Sequence, residues 1–160
     1  MYAEYRKAWN ELTAPGADFA IEVKNIRGIP MRTYVNAPAN VRDVWLSTAQ
    51  FAEREYLVYD DERVTYGEAH AKVRSIGLWL IENGVQPGDR VAIAMRNYPE
   101  WMLSYWAILS IGATVVGMNA WWTGPEMMYA IEDAEPKAII LDAERMERLQ
   151  EHRDEIAGIA

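Results

Sequence analysis

The chain has 160 residues, is 51% hydrophobic and 25% charged, carries a formal net charge of −8 and contains no cysteine. That length supports a substantial core, while the acidic balance, with no basic cluster to offset it, argues against a nucleic-acid-binding face. Without cysteine there are no disulfides, thiolate nucleophiles or Cys-ligated zinc, which fits a reducing compartment and makes a cytoplasmic protein the expectation.

Residues 1–40 read as an N-terminal arm. A short helix over Tyr2–Glu11 precedes an irregular, extended stretch punctuated by Pro15, Gly16, Gly28, Pro30 and Pro38. Its apolar residues Phe19, Ile21, Val23, Ile26 and Ile29 suit packing on the same domain or a homodimer made through the arm.

Residues 41–160 read as an α/β domain. Asn40 can cap a helix running to about Arg54, with Val44, Trp45, Thr48 and Phe51 on one face. Tyr56–Tyr59 and Arg63–Thr65, around Asp60-Asp61-Glu62, form an expected hairpin. Those three carboxylates do not define a metal site, because sequential turn residues point different ways.

Thr65 and Glu68 make a capping box for a helix carrying Ala69, Val73, Ile76 and Leu80 on its buried stripe, ended by Gly84. After the turn Gln86-Pro87-Gly88-Asp89, Val91–Met95 is wholly apolar, as in strands covered on both faces. The cycle then repeats: a helix from Pro99 to Gly112, a strand over Ala113–Met118, and a helix to about Asp133 opened by Thr123-Gly124-Pro125-Glu126. A strand over Lys137–Leu141 and a last charged helix with Met146, Leu149 and Ile156 as its apolar residues complete the pattern. Glu100–Glu126 encloses a stretch without charge, but Gly112, Thr114, Gly117 and Asn119 divide it, so two buried elements in series are expected and no transmembrane segment. The alternation predicts an α/β fold: a mostly parallel sheet with helices on both faces, plus a short β-hairpin.

Chemistry is harder to find. The strand-to-helix turns Arg96–Pro99 and Asn119–Pro125 offer no glycine-rich phosphate cradle, and no Walker-type loop is present. His70 and His152 lie far apart on charged helix faces and read as solvated histidines. The acids Asp142, Glu144, Glu147, Glu151, Asp154 and Glu155 interleave with Arg145, Arg148 and Arg153, which reads as ion pairing on a solvated face. Trp101, Trp106, Trp121 and Trp122 crowd one region with Tyr98, Tyr105 and Tyr129; packing comes first, yet Trp121 and Trp122 sit in a loop, where they could line an apolar tunnel or cover an interface.

Over about residues 40–142 the sequence resembles the class I adenylate-forming enzymes, the group of acyl-CoA synthetases, luciferase and peptide-synthetase adenylation domains. The matching residues are Val64-Thr65-Tyr66-Gly67-Glu68, Gly84-Val85-Gln86-Pro87-Gly88-Asp89-Arg90-Val91-Ala92-Ile93 and Asn97-Tyr98-Pro99-Glu100-Trp101. Gly112-Ala113, Asn119, Glu126, Tyr129, Asp133 and Lys137-Ala138-Ile139-Ile140 continue the match. Asn119-Ala120-Trp121-Trp122-Thr123 is most similar to fatty-acyl and related acyl-CoA ligases, although the family commonly has Asn-Pro there.

The resemblance implies the N-terminal portion of an AMP-binding domain, with ATP, magnesium and CoA used by a longer parent and the remainder of that ligase as partner. The family's Gly/Ser/Thr-rich loop ending in Pro-Lys-Gly, its Thr-Glu pair, its ribose-binding Asp and its C-terminal lysine have no counterparts here. Pro136-Lys137-Ala138 matches only superficially. No catalytic, cofactor-binding or metal residue therefore carries over, and the chain alone is expected to be inactive. Two other readings stay open: a natural short interaction or regulatory module on the same fold, and a stand-alone nucleotide binder.

Overall fold

A computed structural model describes residues 2–160. The backbone divides into two compact units, Met1–Asn40 and Val41–Ala160.

The first unit contains helix α1 (Tyr2–Leu12) and an antiparallel hairpin of β1 (Ile21–Ile26) and β2 (Ile29–Tyr34). The hairpin corrects the irregular arm expected from sequence. Its loop is two residues long: Arg27 and Gly28 both adopt positive φ, 52° and 85°, the conformation that matches strand twist, and Asn25 Oδ1 accepts from the Gly28 N–H at 2.8 Å. Pro30 is tolerated because it lies in a two-stranded ribbon, opposite Asn25.

The second unit opens with α2 (Val41–Ser47) and a 3₁₀ turn (Thr48–Phe51). The expected helix to Arg54 stops early because the Ser47 and Thr48 hydroxyls bond the carbonyls of Val44 and Trp45, at 2.8 and 2.7 Å, and compete with the helical ladder. Strands β3 (Glu55–Tyr59) and β4 (Glu62–Thr65) form the expected hairpin. Helix α3 (Tyr66–Glu82) begins on the capping box: Glu68 N–H donates to Thr65 Oγ1 at 3.2 Å, and Thr65 N–H donates to the Glu68 carboxylate at 2.8 Å. Gly84 ends this helix at φ 86°.

Then β5 (Arg90–Ala94), α4 (Pro99–Ser110), β6 (Thr114–Gly117), α5 (Gly124–Ala134) and β7 (Ala138–Leu141) alternate. The three strands form a parallel sheet in the order β6-β5-β7. Alternation along the central strand splits the core in two. Val91, Ile93 and Met95 pack with Leu80 of α3 and Ile108 of α4, whereas Ala92 and Ala94 face Met127, Met128 and Ile131 of α5. Each fully buried side chain of this size contributes about 1.5–3 kcal/mol. Helix α6 (Ala143–Arg148) is shorter than expected; the buried Leu149 joins the α5 face, and the chain turns back through a 3₁₀ segment (Gln150–His152). Ala160 then meets β7: its N–H donates to Lys137 O at 3.2 Å and its carbonyl accepts from Ile139 N–H at 2.8 Å, the bonding pattern of a parallel pairing. No helix is long and apolar enough to cross a membrane among the described residues.

A third cluster, beneath the β3–β4 hairpin, is aromatic. The Trp45 ring, 2% exposed, stacks on Trp106 at 5.1 Å and on His70 at 4.1 Å, while Trp106 Nε1–H donates to Tyr56 Oη at 2.6 Å. His70 is therefore half-buried and not the solvated histidine expected, and burial lowers its pKa below 6.5. The unfolded imidazole then takes up a proton at higher pH than the folded one. Its stabilising contribution is whole above pH ~6.5 and is lost as pH falls through the lower folded value. We expect the thermal midpoint to drop between pH 7.5 and pH 5.5 by more in the parent chain than in His70→Gln; equal drops would show that His70 carries no such contribution.

Candidate functional site

The carboxyl ends of the parallel strands are where an open α/β sheet presents its ligand crevice, at the point where neighbouring connections leave toward opposite faces. Here the chain leaves β5 for α4, on the face of Ile93, and leaves β7 for α6, on the face of Ala92 and Ala94. Asp142 closes the gap between the two strand ends. Its N–H donates to Ala94 O at 3.3 Å, its Oδ2 accepts from Arg96 N–H at 3.2 Å, and its Oδ1 caps α6 by accepting from Arg145 N–H at 3.0 Å. Partial burial works to raise the Asp142 pKa. The two backbone N–H donors and the Arg145 guanidinium outweigh it and hold the carboxyl below its ordinary range.

The loop after β6 is held by the same helix. Arg145, only 1% exposed, directs Nε and Nη2 at Ala120 O, the former at 2.7 Å, and Nη1 at Asp142 and Glu144. Arg148 Nη1 donates to Ala120 O at 3.1 Å and to Trp122 O at 2.7 Å, and its Nη2 donates to Glu144. The charged helix read from sequence as a solvated ion-paired face is in fact a clamp, with one buried guanidinium and two loop carbonyls as its targets. The sequence signal that could have shown it is Asp142-x-x-Arg145 directly after a strand, an N-cap acid with a cation one turn on.

The clamp presents Trp121. Its N–H donates to Asn119 Oδ1 at 2.9 Å, its ring is 67% exposed, and the Arg96 guanidinium carbon lies 4.7 Å from the ring centroid. A cleft of about 480 Å³ runs from Met95 and Trp101 past Met118 to Trp121 and Trp122. A second, about 400 Å³, lies between Tyr59, Tyr98 and the Arg96–Trp121 pair. Trp101 stacks on Tyr105 at 5.6 Å and Trp122 lies against the Met127 cluster, so of the loop pair Trp121 projects outward, while Tyr129 on α5 is 73% exposed.

The Thr48 Oγ1···His70 Nε2 contact of 3.0 Å looks like a nucleophile beside a base, but the hydroxyl also donates to Trp45 O, which ties it to the helix end. His152 pairs with Glu155 at 2.8 Å. No group of three metal-ligating side chains converges among the described residues. A triphosphate and magnesium do not fit this chain's strand ends: the loops lack a glycine cradle, and the Asp142 carboxylate is engaged by four hydrogen bonds from Arg96 and Arg145.

The second unit is an α/β fold built on a parallel three-stranded sheet. The chain belongs to the AMP-binding enzyme family, which it matches over residues 44–159. It is 31% identical over 94 residues to the long-chain-fatty-acid–CoA ligase of Bacillus subtilis (strain 168), covering 59% of this chain and 17% of that one. It is 33% identical over 106 residues to the 3-hydroxybenzoate–CoA ligase of Aromatoleum sp. (strain CIB), covering 66% and 20%. Its fold follows that of the anthranilate CoA ligase AuaEII, solved with anthranoyl-AMP, at a TM-score of 0.72 and 23% identity over 78% of this chain and 25% of that one. The chain thus spans no more than a fifth of the two curated ligases it matches.

Proposed function

We propose that this chain is the N-terminal part of an ATP-dependent ligase that joins a carboxylic acid, fatty or aromatic, to CoA, releasing AMP and pyrophosphate. The observation that carries the reading is the family match over residues 44–159 combined with relatives of which the matched stretch makes up no more than a fifth. ATP, magnesium and CoA belong to the whole enzyme; the 160 residues contribute sheet, clamp and aromatic clefts, and no phosphate loop. The chain alone is inactive in this proposal, works in the cytoplasm, and has the rest of the ligase as partner. Residues 1–40 are an arm that serves a homodimer, and residues 41–160 are the α/β domain; sedimentation of the whole ligase as a monomer would remove the dimer.

Two measurements test the ligase reading. The 160-residue chain should release no pyrophosphate from ATP with octanoate or benzoate, and acid-dependent release would overturn its inactivity. A hybrid carrying residues 41–160 in place of the matching stretch of the Bacillus subtilis ligase should keep acid- and CoA-dependent pyrophosphate release. A hybrid that folds but has lost all turnover would overturn the assignment.

A further inference from the structure

Helices α2 and α3 leave a groove of about 410 Å³ between them. Ser110 and Ile111, where α4 returns the chain to the amino ends of the strands, also line it, which places it away from the Trp121 loop. The two walls repeat one pattern. Arg42 and Leu46 stand four residues apart on α2, and Arg74 and Leu78 four apart on α3, with Ile81 a further turn along. That spacing sets each arginine beside an apolar neighbour on one helix face. Leu46, Leu78 and Ile81 are each about half exposed, so they form an open apolar strip in one depression. No side chain fills the floor at Gly77, where α3 lies close on α4; a Cβ there would stand 3.3 Å from Ile111 Cγ2.

The charge of the groove runs against that of the chain. The sequence carries 24 acids against 16 lysines and arginines, yet two arginines and no carboxylate line this groove. Lys72, near Arg74 on α3, reaches Glu62 at 3.8 Å, whereas no ion pair engages Arg42 or Arg74 among the described residues. An apolar strip between two helices is the surface that receives a third helix, through anchors at i, i+3 or i+4, and i+7. Arg74 to Ile81 spans about 10 Å, roughly two turns of such a helix. Guanidiniums on opposite walls call for carboxylates on both sides of the apolar stripe. A helix supplies that arrangement, and a single-headed amphiphile does not.

We propose that this groove docks an amphipathic helix of a partner protein, its apolar stripe seated on Leu46, Leu78 and Ile81 and its flanking carboxylates meeting Arg42 and Arg74. The inference is independent of the ligase reading, since the groove lies away from the carboxyl ends of the strands and the contact involves no turnover.

The test titrates the 160-residue chain with two synthetic helical peptides that share leucines at i, i+3, i+4 and i+7. One carries glutamates on both flanks, the other lysines, and the amide resonances of α2 and α3 report binding. The glutamate peptide should shift them saturably, and the lysine peptide should bind at least about tenfold more weakly. Arg42→Glu combined with Arg74→Glu should reverse that preference, and Leu78→Ala should weaken the glutamate peptide about fivefold. All three side chains are exposed, so thermal unfolding of these variants should match the parent. No saturation by the glutamate peptide below about 1 mM, or equal affinity for the two peptides, would overturn the proposal. Self-association of the chain that Leu78→Glu abolishes would make a second copy the occupant and overturn it as well.

Discussion

Arg145→Ala should destabilise the α/β unit by about 3–5 kcal/mol, the cost of removing one partner from a buried charged network. The side chain is 1% exposed and serves Ala120 O, Asp142 and Glu144 together. Truncation leaves the Ala120 carbonyl with Arg148 as its remaining side-chain donor and removes the guanidinium from the Asp142 carboxylate, which keeps its two backbone N–H donors. A midpoint lower by roughly 10–20 °C is expected for a unit of this size. Arg145→Lys should recover little, since a point ammonium cannot span a carbonyl on one side and a carboxylate on the other as a planar fork does. Urea unfolding monitored by circular dichroism gives the value; a loss below about 1 kcal/mol, the worth of a surface ion pair, would mean that the clamp is ornamental.

Gly124→Ala is the second large effect, from a single methyl group. A Cβ at this position would lie 2.5 Å from the carbonyl oxygen of Arg148 and 3.6 Å from the His152 ring. The close contact is backbone, so it cannot rotate away. Either the start of α5 or the end of α6 has to shift, at about 1–3 kcal/mol or more for overpacking. Because Arg148 also holds Ala120 and Trp122, that shift reaches the Trp121 loop. The expected result is a lower midpoint accompanied by a changed Trp121 indole resonance; an unperturbed loop would show that α6 moves alone.

The repeating units of this fold are legible in the sequence because each is bounded by local chemistry. Thr65 with Glu68 marks one helix start, and the Glu126 carboxylate accepting from Thr123 N–H at 2.7 Å marks another. The apolar runs at Val91 and Ala138 become parallel strands, as a sheet covered on both faces requires. The β1–β2 hairpin was hidden because Arg27 gives no sign of accepting positive φ and Pro30 reads as a strand breaker. The clamp was hidden for a different reason. Helical spacing pairs Arg145 and Arg148 with the acids beside them, and nothing local shows that their principal acceptors are carbonyls 25 to 28 residues earlier in the chain. His70 likewise lies on a polar-looking helix face, and only the crossing of α2 brings Trp45 over it.

The pairing of Ala160 with β7 covers one end of a strand whose outer side otherwise has no neighbour among the described residues. Ala138-Ile139-Ile140-Leu141 is short, apolar and rich in β-branched residues, the composition that recruits further strands edge to edge. Its gatekeepers are Lys137 and Asp142. Asp142 is committed inward, so deterrence of aggregation falls on the exposed Lys137 and on the repulsion of like-charged molecules. Solubility of this chain should therefore be poorest near its pI of about 4.8, where that repulsion vanishes while the edge remains open.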